Sequence, residues 1–425
     1  MFKKTLALIL AVAMIASACL VLASCQATEE AELKGESQPP IEKFTVNADF
    51  EIQSDFKIGF ICLHDEKSTY DLNFLNAVED VQTALNLTND QVIIKTGIPE
   101  TDECYQAAAD LVDQGCKVIF ANSFGHEAFM IRAAKEFPEV QFCHATGTQA
   151  HVENLPNYHN AFAAIYQGRY LAGIAAGLKL NEMIESGKIT ADKAKMGYVG
   201  AYTYAEVISG LSSFYLGAKS VCPTVTMDVQ FTGSWFDINE ESNAAKALIS
   251  RGCVLISQHA DSLGAPSACE EAGVPNVSYN GSTIEACPET FIVSSAINWA
   301  PYFAYIIKCA NTGAAIDTDW CGGIKDGSIY ITGINLDVAA EGTEEAIKAA
   351  IAKFEAGTLN VFDTTTFTVG NAPLTDAFKP GEGTDASFVE GTVIVKNGVF
   401  CESDYRSAPY FDAEIDGIVF INRMY

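Results

Sequence analysis

Lys57-Ile58-Gly59-Phe60-Ile61-Cys62-Leu63 runs straight into the polar stretch His64-Asp65-Glu66-Lys67-Ser68-Thr69-Tyr70-Asp71-Leu72-Asn73-Phe74, which opens a segment of helical period. The first piece is apolar on both faces, as a strand buried inside a parallel sheet is, and does not alternate as a half-exposed strand would. The same order returns downstream, where Met196-Gly197-Tyr198-Val199-Gly200 opens a second series. Outward from these two starts, apolar runs at 57–63, 91–98, 117–122, 140–145, 195–201, 226–232, 253–258, 274–279, 291–296 and 327–333 are predicted strands, read as buried and parallel. Segments at 72–86, 101–114, 126–136, 164–185, 204–219, 239–251, 262–272, 300–312 and 342–356 are predicted helices. Alternation of the two kinds builds parallel sheets with helices on both faces. The expected fold class is α/β, with two doubly wound parallel-sheet lobes joined by three crossovers near 162–166, 296–300 and 324–328. The Gly- and Pro-containing tail from Thr365 to Tyr425 is expected as a short, hairpin-rich β appendage on the second lobe.

The start of the chain reads as an address. Lys3 and Lys4 precede the apolar run Thr5 to Leu22, which ends at Ala23-Ser24-Cys25. A charged start, an apolar middle and a small-residue end make an export signal. Residues 1–24 are therefore expected as a lipoprotein signal peptide, with Cys25 the lipid-modified first residue of the mature chain. Residues 25–55, rich in Glu, Ala, Pro and Ser at their start, are expected as a flexible tether. The first lobe is then 56–164 plus 297–326, and the second 165–296 plus 327–425.

Composition excludes several classes. There are 26 Lys+Arg against 54 Asp+Glu, a net charge of −28, and loss of Lys3 and Lys4 with the signal would take this to −30. Nucleic acid is not an expected partner of so acidic a chain. Eleven cysteines follow Cys25, an odd number without a C-x-x-C pair, so neither a redox motif nor a zinc ribbon is indicated. Several, such as Cys62 and Cys253, stand in strand-like runs where cysteine acts as a small hydrophobe. G-x-S-x-G, H-E-x-x-H, a phosphate-binding loop and a strand-linked G-x-G-x-x-G are all absent, and no cofactor or metal is called for.

In open parallel sheets ligands sit beyond the carboxyl ends of the strands, so the loops after each strand are the place to look for a site. After the first strand, Tyr70, Asp71 and Asn73 offer a ring face and directional hydrogen bonds, while Ser68 or Thr69 caps the next helix. After 226–232 comes Thr232-Gly233-Ser234-Trp235-Phe236-Asp237, where Trp235 is the ring more suited to face a cleft and Phe236 either faces it or packs the hinge. Gln258-His259-Ala260-Asp261-Ser262 invites a catalytic reading of His259 with Asp261, yet shows no third partner, and Asp261 or Ser262 equally caps a helix. Asn280 follows the strand at 274–279. Asn298 and Trp299 either touch ligand or pack the hinge, and Lys325 is the one cation placed near the cleft.

Taken in order, five stretches resemble one family: Ser68–Phe74, Tyr166-Gln167-Gly168-Arg169-Tyr170-Leu171-Ala172-Gly173, Thr232–Asp237, Gln258–Ser262 and Arg406-Ser407-Ala408-Pro409-Tyr410-Phe411. It is the basic membrane protein family of substrate-binding lipoproteins, which includes bacterial purine nucleoside receptors on the type I periplasmic binding protein fold. The resemblance covers most of 57–425. It implies an ABC transporter permease as partner and a purine stacked on an aromatic ring with its edge held by Asp or Asn. Carried over by position, Tyr70, Asp71, Asn73 and Phe74 form one wall, and Trp235, Asp261 and Asn280 the other. Nucleoside-binding members carry a ribose-contacting Asp near position 280 and a Lys near position 297. Asn280 and Ile297 stand here instead, which turns the expectation toward a free nucleobase such as adenine or another flat heterocycle.

The expected function is therefore an extracytoplasmic solute-binding lipoprotein, held to the membrane through Cys25 and delivering a purine-like small molecule to an ABC importer, not an enzyme. A ligand-sensing lipoprotein of the same fold and an envelope enzyme acting on a nucleoside through His259 and Asp261 are the alternatives.

Overall fold

The computed structural model describes residues 34–42, 44–47, 49–380 and 392–425. The expected signal peptide and lipidation site at Cys25 lie outside the described residues, as does part of the appendage, 381–391. The chain divides into two compact units, Met1–Gly35 and Glu36–Tyr425, and the architecture below is that of the second.

The apolar runs become strands and the segments of helical period become helices, alternating through most of the chain. In the first half these are β1 (Ile58–Ile61), α1 (Thr69–Ala84), β2 (Val92–Lys95), α2 (Asp102–Asp113), β3 (Val118–Ala121), α3 (Glu127–Glu136), β4 (Gln141–Ala145), the short α4 (Ala150–Glu153) and β5 (Tyr158–Ala163). The long α5 (Ile165–Glu185) then leads to β6 (Lys195–Gly200), α6 (Ala205–Val221), β7 (Thr226–Phe231), α7 (Ile238–Ser250), β8 (Leu255–Gln258), α8 (Gly264–Ala272), β9 (Asn276–Tyr279) and β10 (Phe291–Ile297). The chain returns through α9 (Ala300–Thr312) to β11 (Asp319–Gly322), and crosses once more by a turn at Ile324–Asp326 to β12 (Ile329–Ile331) and α10 (Thr343–Glu355). The tail carries β13 (Val395–Lys396), β14 (Val399–Phe400) and β15 (Ile418–Phe420).

Two sheets result. The first has six strands in the order β11-β5-β4-β3-β1-β2, all parallel. The second has seven, β12-β10-β9-β8-β6-β7-β15. The α/β class with two parallel-sheet lobes is as expected, with one correction: β12, read as a parallel strand, runs antiparallel to β10. It enters its sheet directly from the crossover turn, with no helix between, so its direction is reversed. Of the tail, β13 and β14 form a hairpin, while β15 leaves the appendage and adds to the edge of the second sheet beside β7. Strands β5, β11 and β15 have no counterpart among the predicted strands.

The described residues between 36 and 55, expected to belong to a flexible tether, include several tied to the body. Ser37 N donates to Ile334 O at 2.9 Å, Gln53 N to Asn311 Oδ1 at 2.8 Å, and Lys308 pairs with Asp49. Helices α5 and α6 cross unusually closely, because a Cβ on Gly173 or Gly217 would lie 2.1 Å from a backbone carbonyl of the other helix. All eleven cysteines after Cys25 are free thiols, nine of them buried. Burial pushes their pKa values upward, to about 12 for Cys143 and Cys104, so they stay protonated and pack as hydrophobes. Among the described residues no helix is long and apolar enough to cross a membrane.

Candidate functional site

In the first sheet the strand order reverses between β1 and β3, and in the second between β6 and β8. The loops leaving these four strands are the switch-point loops of a doubly wound sheet, where a crevice must form. They meet around a narrow cavity lined by Leu63, His64, Tyr70, Asp71, Ser123, Phe124 and Thr146 from the first lobe, and Glu206, Trp235, His259, Asp261 and Tyr279 from the second.

The first wall is built on a helix cap. Ser68 Oγ accepts from Asp71 N at 3.2 Å, which starts α1 where Tyr70 and Asp71 face the cavity. Asp71 Oδ1 in turn accepts from His64 N at 3.1 Å and Asn122 Nδ2 at 2.7 Å. Asn122 is the hub between the loops after β1 and β3, since its Oδ1 accepts from Leu63 N at 3.0 Å and its carbonyl from the Tyr70 hydroxyl at 2.7 Å. With its hydroxyl occupied, Tyr70 offers its ring to a ligand. Glu100 Oε1 holds the β3 loop by accepting from Ser123 Oγ at 2.6 Å and Gly125 N at 2.7 Å. Thr146 keeps a left-handed backbone at φ 65°, uncommon for a β-branched residue and a mark of strain held at a site.

On the second wall, Glu206 stands in the first turn of α6 and its Oε1 meets His259 Nε2 at 3.2 Å. The His259 ring lies 4.5 Å from that of Tyr279. Asp261 Oδ1 accepts from Asn280 Nδ2 at 3.2 Å, and Asp261 N donates to the carbonyl of Trp235 at 3.0 Å. Burial, and after it the neighbouring carboxylates Glu241, Asp71 and Glu206, push the Asp261 carboxyl well above the usual range. Burial likewise raises the phenols of Tyr70 and Tyr279, which stay neutral. The walls touch directly. Thr69 N and Oγ1 both donate to Asp261 O at 3.1 Å, Asn73 Nδ2 donates to Asn280 Oδ1 at 3.3 Å, and the rings of Phe124 and Tyr204 stack at 5.3 Å. The cleft is closed.

Of the residues singled out from the sequence, Tyr70, Asp71, Trp235 and Asp261 line the cavity together. Asn73 and Asn280 do not line it but bond to each other across the lobes. Three expectations are corrected. Phe74 is buried behind Tyr70, with ring centroids 4.9 Å apart, and belongs to the core. Trp299 is 1% exposed and stacks on Phe74 at 4.5 Å, so its indole is packing and not a ligand surface. Lys325 is exposed on the crossover turn, outside the lining. The His259–Asp261 pair of the enzyme reading does not form, as His259 faces Glu206 and Asp261 faces Asn280. Among the described residues no group of three His, Cys, Asp or Glu could hold a metal ion.

Sequence reading missed Leu63, His64, Ser123, Phe124, Thr146, Glu206 and Tyr279. A signal for two of them existed: Phe124 and Glu206 follow β3 and β6 within a few residues, in switch-point loops.

Comparison with known proteins places this geometry. Residues 63–357 match the family described as ABC transporter substrate-binding protein PnrA-like. A purine-binding protein of Brucella abortus is 34% identical over 240 residues, 55% of this chain and 64% of that protein. A Haloferax volcanii protein named as a candidate ABC transporter glucose-binding protein is 33% identical over 211 residues, 49% of this chain and 50% of that one. The chain thus spans less than two thirds of the length of either relative. Among solved structures, an ABC transporter solute-binding protein of Conexibacter woesei superposes with a TM-score of 0.57 at 18% identity, over 72% of this chain and 98% of that one, which speaks for the fold alone. With the family match running across both lobes and every loop that lines the cavity up to Tyr279, this chain belongs to the PnrA-like family of ABC transporter substrate-binding proteins.

Proposed function

We propose that the chain is the extracytoplasmic solute-binding component of an ABC importer, anchored through lipid on Cys25, and that its cargo is an uncharged purine-like heterocycle, a free nucleobase in preference to a nucleoside. The observation that carries this reading is the composition of the cavity: four aromatic rings, Tyr70, Phe124, Trp235 and Tyr279, with three carboxylates, Asp71, Glu206 and Asp261, among them. Rings offer stacking to a flat π-system and carboxyl oxygens accept from the ring and exocyclic N–H groups of a base. Among the described residues no Lys or Arg lines the cavity, so a phosphate would meet carboxylates and lose its hydration uncompensated. Asn280 and Ile297 supply neither of the charges implied for ribose, and Ile297 is buried. The B. abortus relative, named for purine binding, supports the class of ligand.

Ligand bound between the walls makes contacts with both only in the closed state, and that difference drives closure about the crossovers. The test is a thermal-shift and calorimetric comparison of adenine, adenosine, ADP and glucose on the mature protein. Adenine is expected to raise Tm by several degrees at one hundred times Kd, where linkage gives about 2.7 kcal/mol. A stronger response to adenosine would reverse the nucleobase preference, and a response to glucose alone would remove the purine assignment. Cys25→Ser is expected to release the protein from the membrane fraction; continued retention would refute the lipid anchor.

A further inference from the structure

Arg169, in the stretch Tyr166–Gly173 that the cavity does not use, projects from α5 onto the inner face of the second sheet and is fully buried. Its Nη1 donates to Ser278 O at 3.2 Å and Ser295 Oγ at 3.4 Å. Its Nη2 donates to Ser257 Oγ at 2.7 Å, Tyr198 OH at 3.3 Å and Gln258 O at 3.4 Å. These acceptors sit on β6, β8, β9 and β10, and the Tyr279 ring lies 5.1 Å from the guanidinium carbon. Among the described residues no carboxylate pairs with Arg169. A buried cation held only by dipoles and ring faces is costly, and an apolar side chain would seat α5 on the sheet without that cost. Packing alone therefore does not account for it.

We propose that Arg169 is a positioning residue that fixes the direction of a hydrogen-bond chain ending at Glu206, so that the cavity presents an acceptor there and selects ligands carrying an N–H or O–H donor. The inference rests on the reading of this cavity as the ligand site. A guanidinium has donors only, so the Tyr198 oxygen must accept from it. The Tyr198 proton is then free to point at its other polar neighbour, His259 Nδ1, at 3.5 Å. An Nδ1 that accepts puts the imidazole proton on Nε2, which faces Glu206 Oε1 at 3.2 Å. Glu206 accepts that hydrogen bond, and as a lining residue of the cavity it keeps further acceptor capacity for a ligand. Every donor–acceptor choice along the chain follows from the residue at its buried end.

Nitrogen-15 NMR of His259 in the ligand-free protein decides the chain independently of any ligand. The Nε2–H tautomer is expected in the natural protein, and Tyr198→Phe, which removes a single oxygen, is expected to redistribute the proton between the two nitrogens. The proposal is overturned if His259 holds the same tautomer with and without the Tyr198 hydroxyl. Binding of adenine gives the second readout: Tyr198→Phe and Arg169→Met are each expected to weaken it roughly tenfold, the worth of one hydrogen bond to a charged group, and Arg169→Lys, which keeps a donor, to restore part of the loss. Unchanged adenine affinity in Tyr198→Phe would overturn selection through Glu206. If adenine fails to bind the natural protein, the ligand assignment above falls, and the tautomer alone decides the role of Arg169.

Discussion

Behind Tyr70 and Asp71 the first lobe is aromatic: Phe74 stacks on Trp299 at 4.5 Å, and Phe120 and Phe303 close the cluster edge-on at 4.9 Å. Behind His259 and Tyr279 the second lobe is polar, organised around Arg169 and the serines of three strands. A wall backed by close-packed rings is fixed by shape, and any lost volume is felt at once. A wall backed by a hydrogen-bond network is fixed by direction, so it can dictate which ligand atoms donate and which accept. The two walls are thereby held by different means, shape in the first lobe and direction in the second, and full recognition waits for the lobes to meet.

The contrast can be broken most forcefully at Trp299. Replacing it with Ala should destabilise the protein by about 3–5 kcal/mol, as large aromatic deletions in cores do, while the protein that remains folded keeps most of its ligand affinity. A denaturant titration beside calorimetry reads both; a large affinity loss at unchanged stability would return Trp299 to the ligand surface. Next in size is the response to pH. The first lobe buries His126, His144 and His159, each lowered by burial to about 4, so its native state binds fewer protons than the unfolded chain between about pH 4 and 6.5 and its stability rises through that window. Glu127, raised by burial, opposes these three. The second lobe and its tail bury Glu241, raised to about 7, and Glu402, raised to about 8. Their native state holds protons that the unfolded chain has released, so their stabilising effect falls as pH rises from about 4.5 to 8. Each group carries on the order of 1–3 kcal/mol. Amide exchange should find the first lobe less protected at pH 5 than at pH 7, and the second less protected at pH 8 than at pH 6. Parallel behaviour of the two lobes would contradict this division.

A sharper and smaller contrast is at Trp235, which is half-buried. Trp235→Ala should weaken adenine binding by roughly 1–3 kcal/mol, the worth of one base-stacking ring, with little change in the stability of the ligand-free protein. Least of all, Lys325→Ala should leave both affinity and stability within about 0.5 kcal/mol, as exposed substitutions do; a clear affinity loss would place the lysine back at the cleft.

These residues also show what a sequence can reveal. Strands such as Ile58–Ile61 and Met196–Gly200 were legible because full burial erases alternation and leaves an unbroken apolar run. Tyr158–Ala163 was not, since its His159 and Asn160 are polar inward groups satisfied by Gln141, Asp317 and Ala150. Edge strands β11 and β15 hide for the opposite reason, being short and only partly covered. In the site, Tyr70, Asp71, Trp235 and Asp261 were found because each follows a strand closely, in a loop or in the first turn of the next helix, with recognisable chemistry. Trp299 also follows a strand, but the chain turns its indole toward the sheet, and only three-dimensional packing distinguishes the two outcomes. Arg169 lies inside a helix, one turn from its start, where no loop rule points.

The eleven unpaired thiols bear on biogenesis. Under the proposed function the chain is exported, and a chain that crosses the membrane unfolded exposes each thiol, with its ordinary reactivity toward oxidants and an ordinary pKa near 8.5. Once β-strands and helices close over Cys62, Cys143, Cys253 and their like, burial takes the thiolate away. The native fold thus serves as a protecting group, and maturation becomes a kinetic contest between chain collapse and sulfur oxidation that rapid folding, or a reducing habitat, wins.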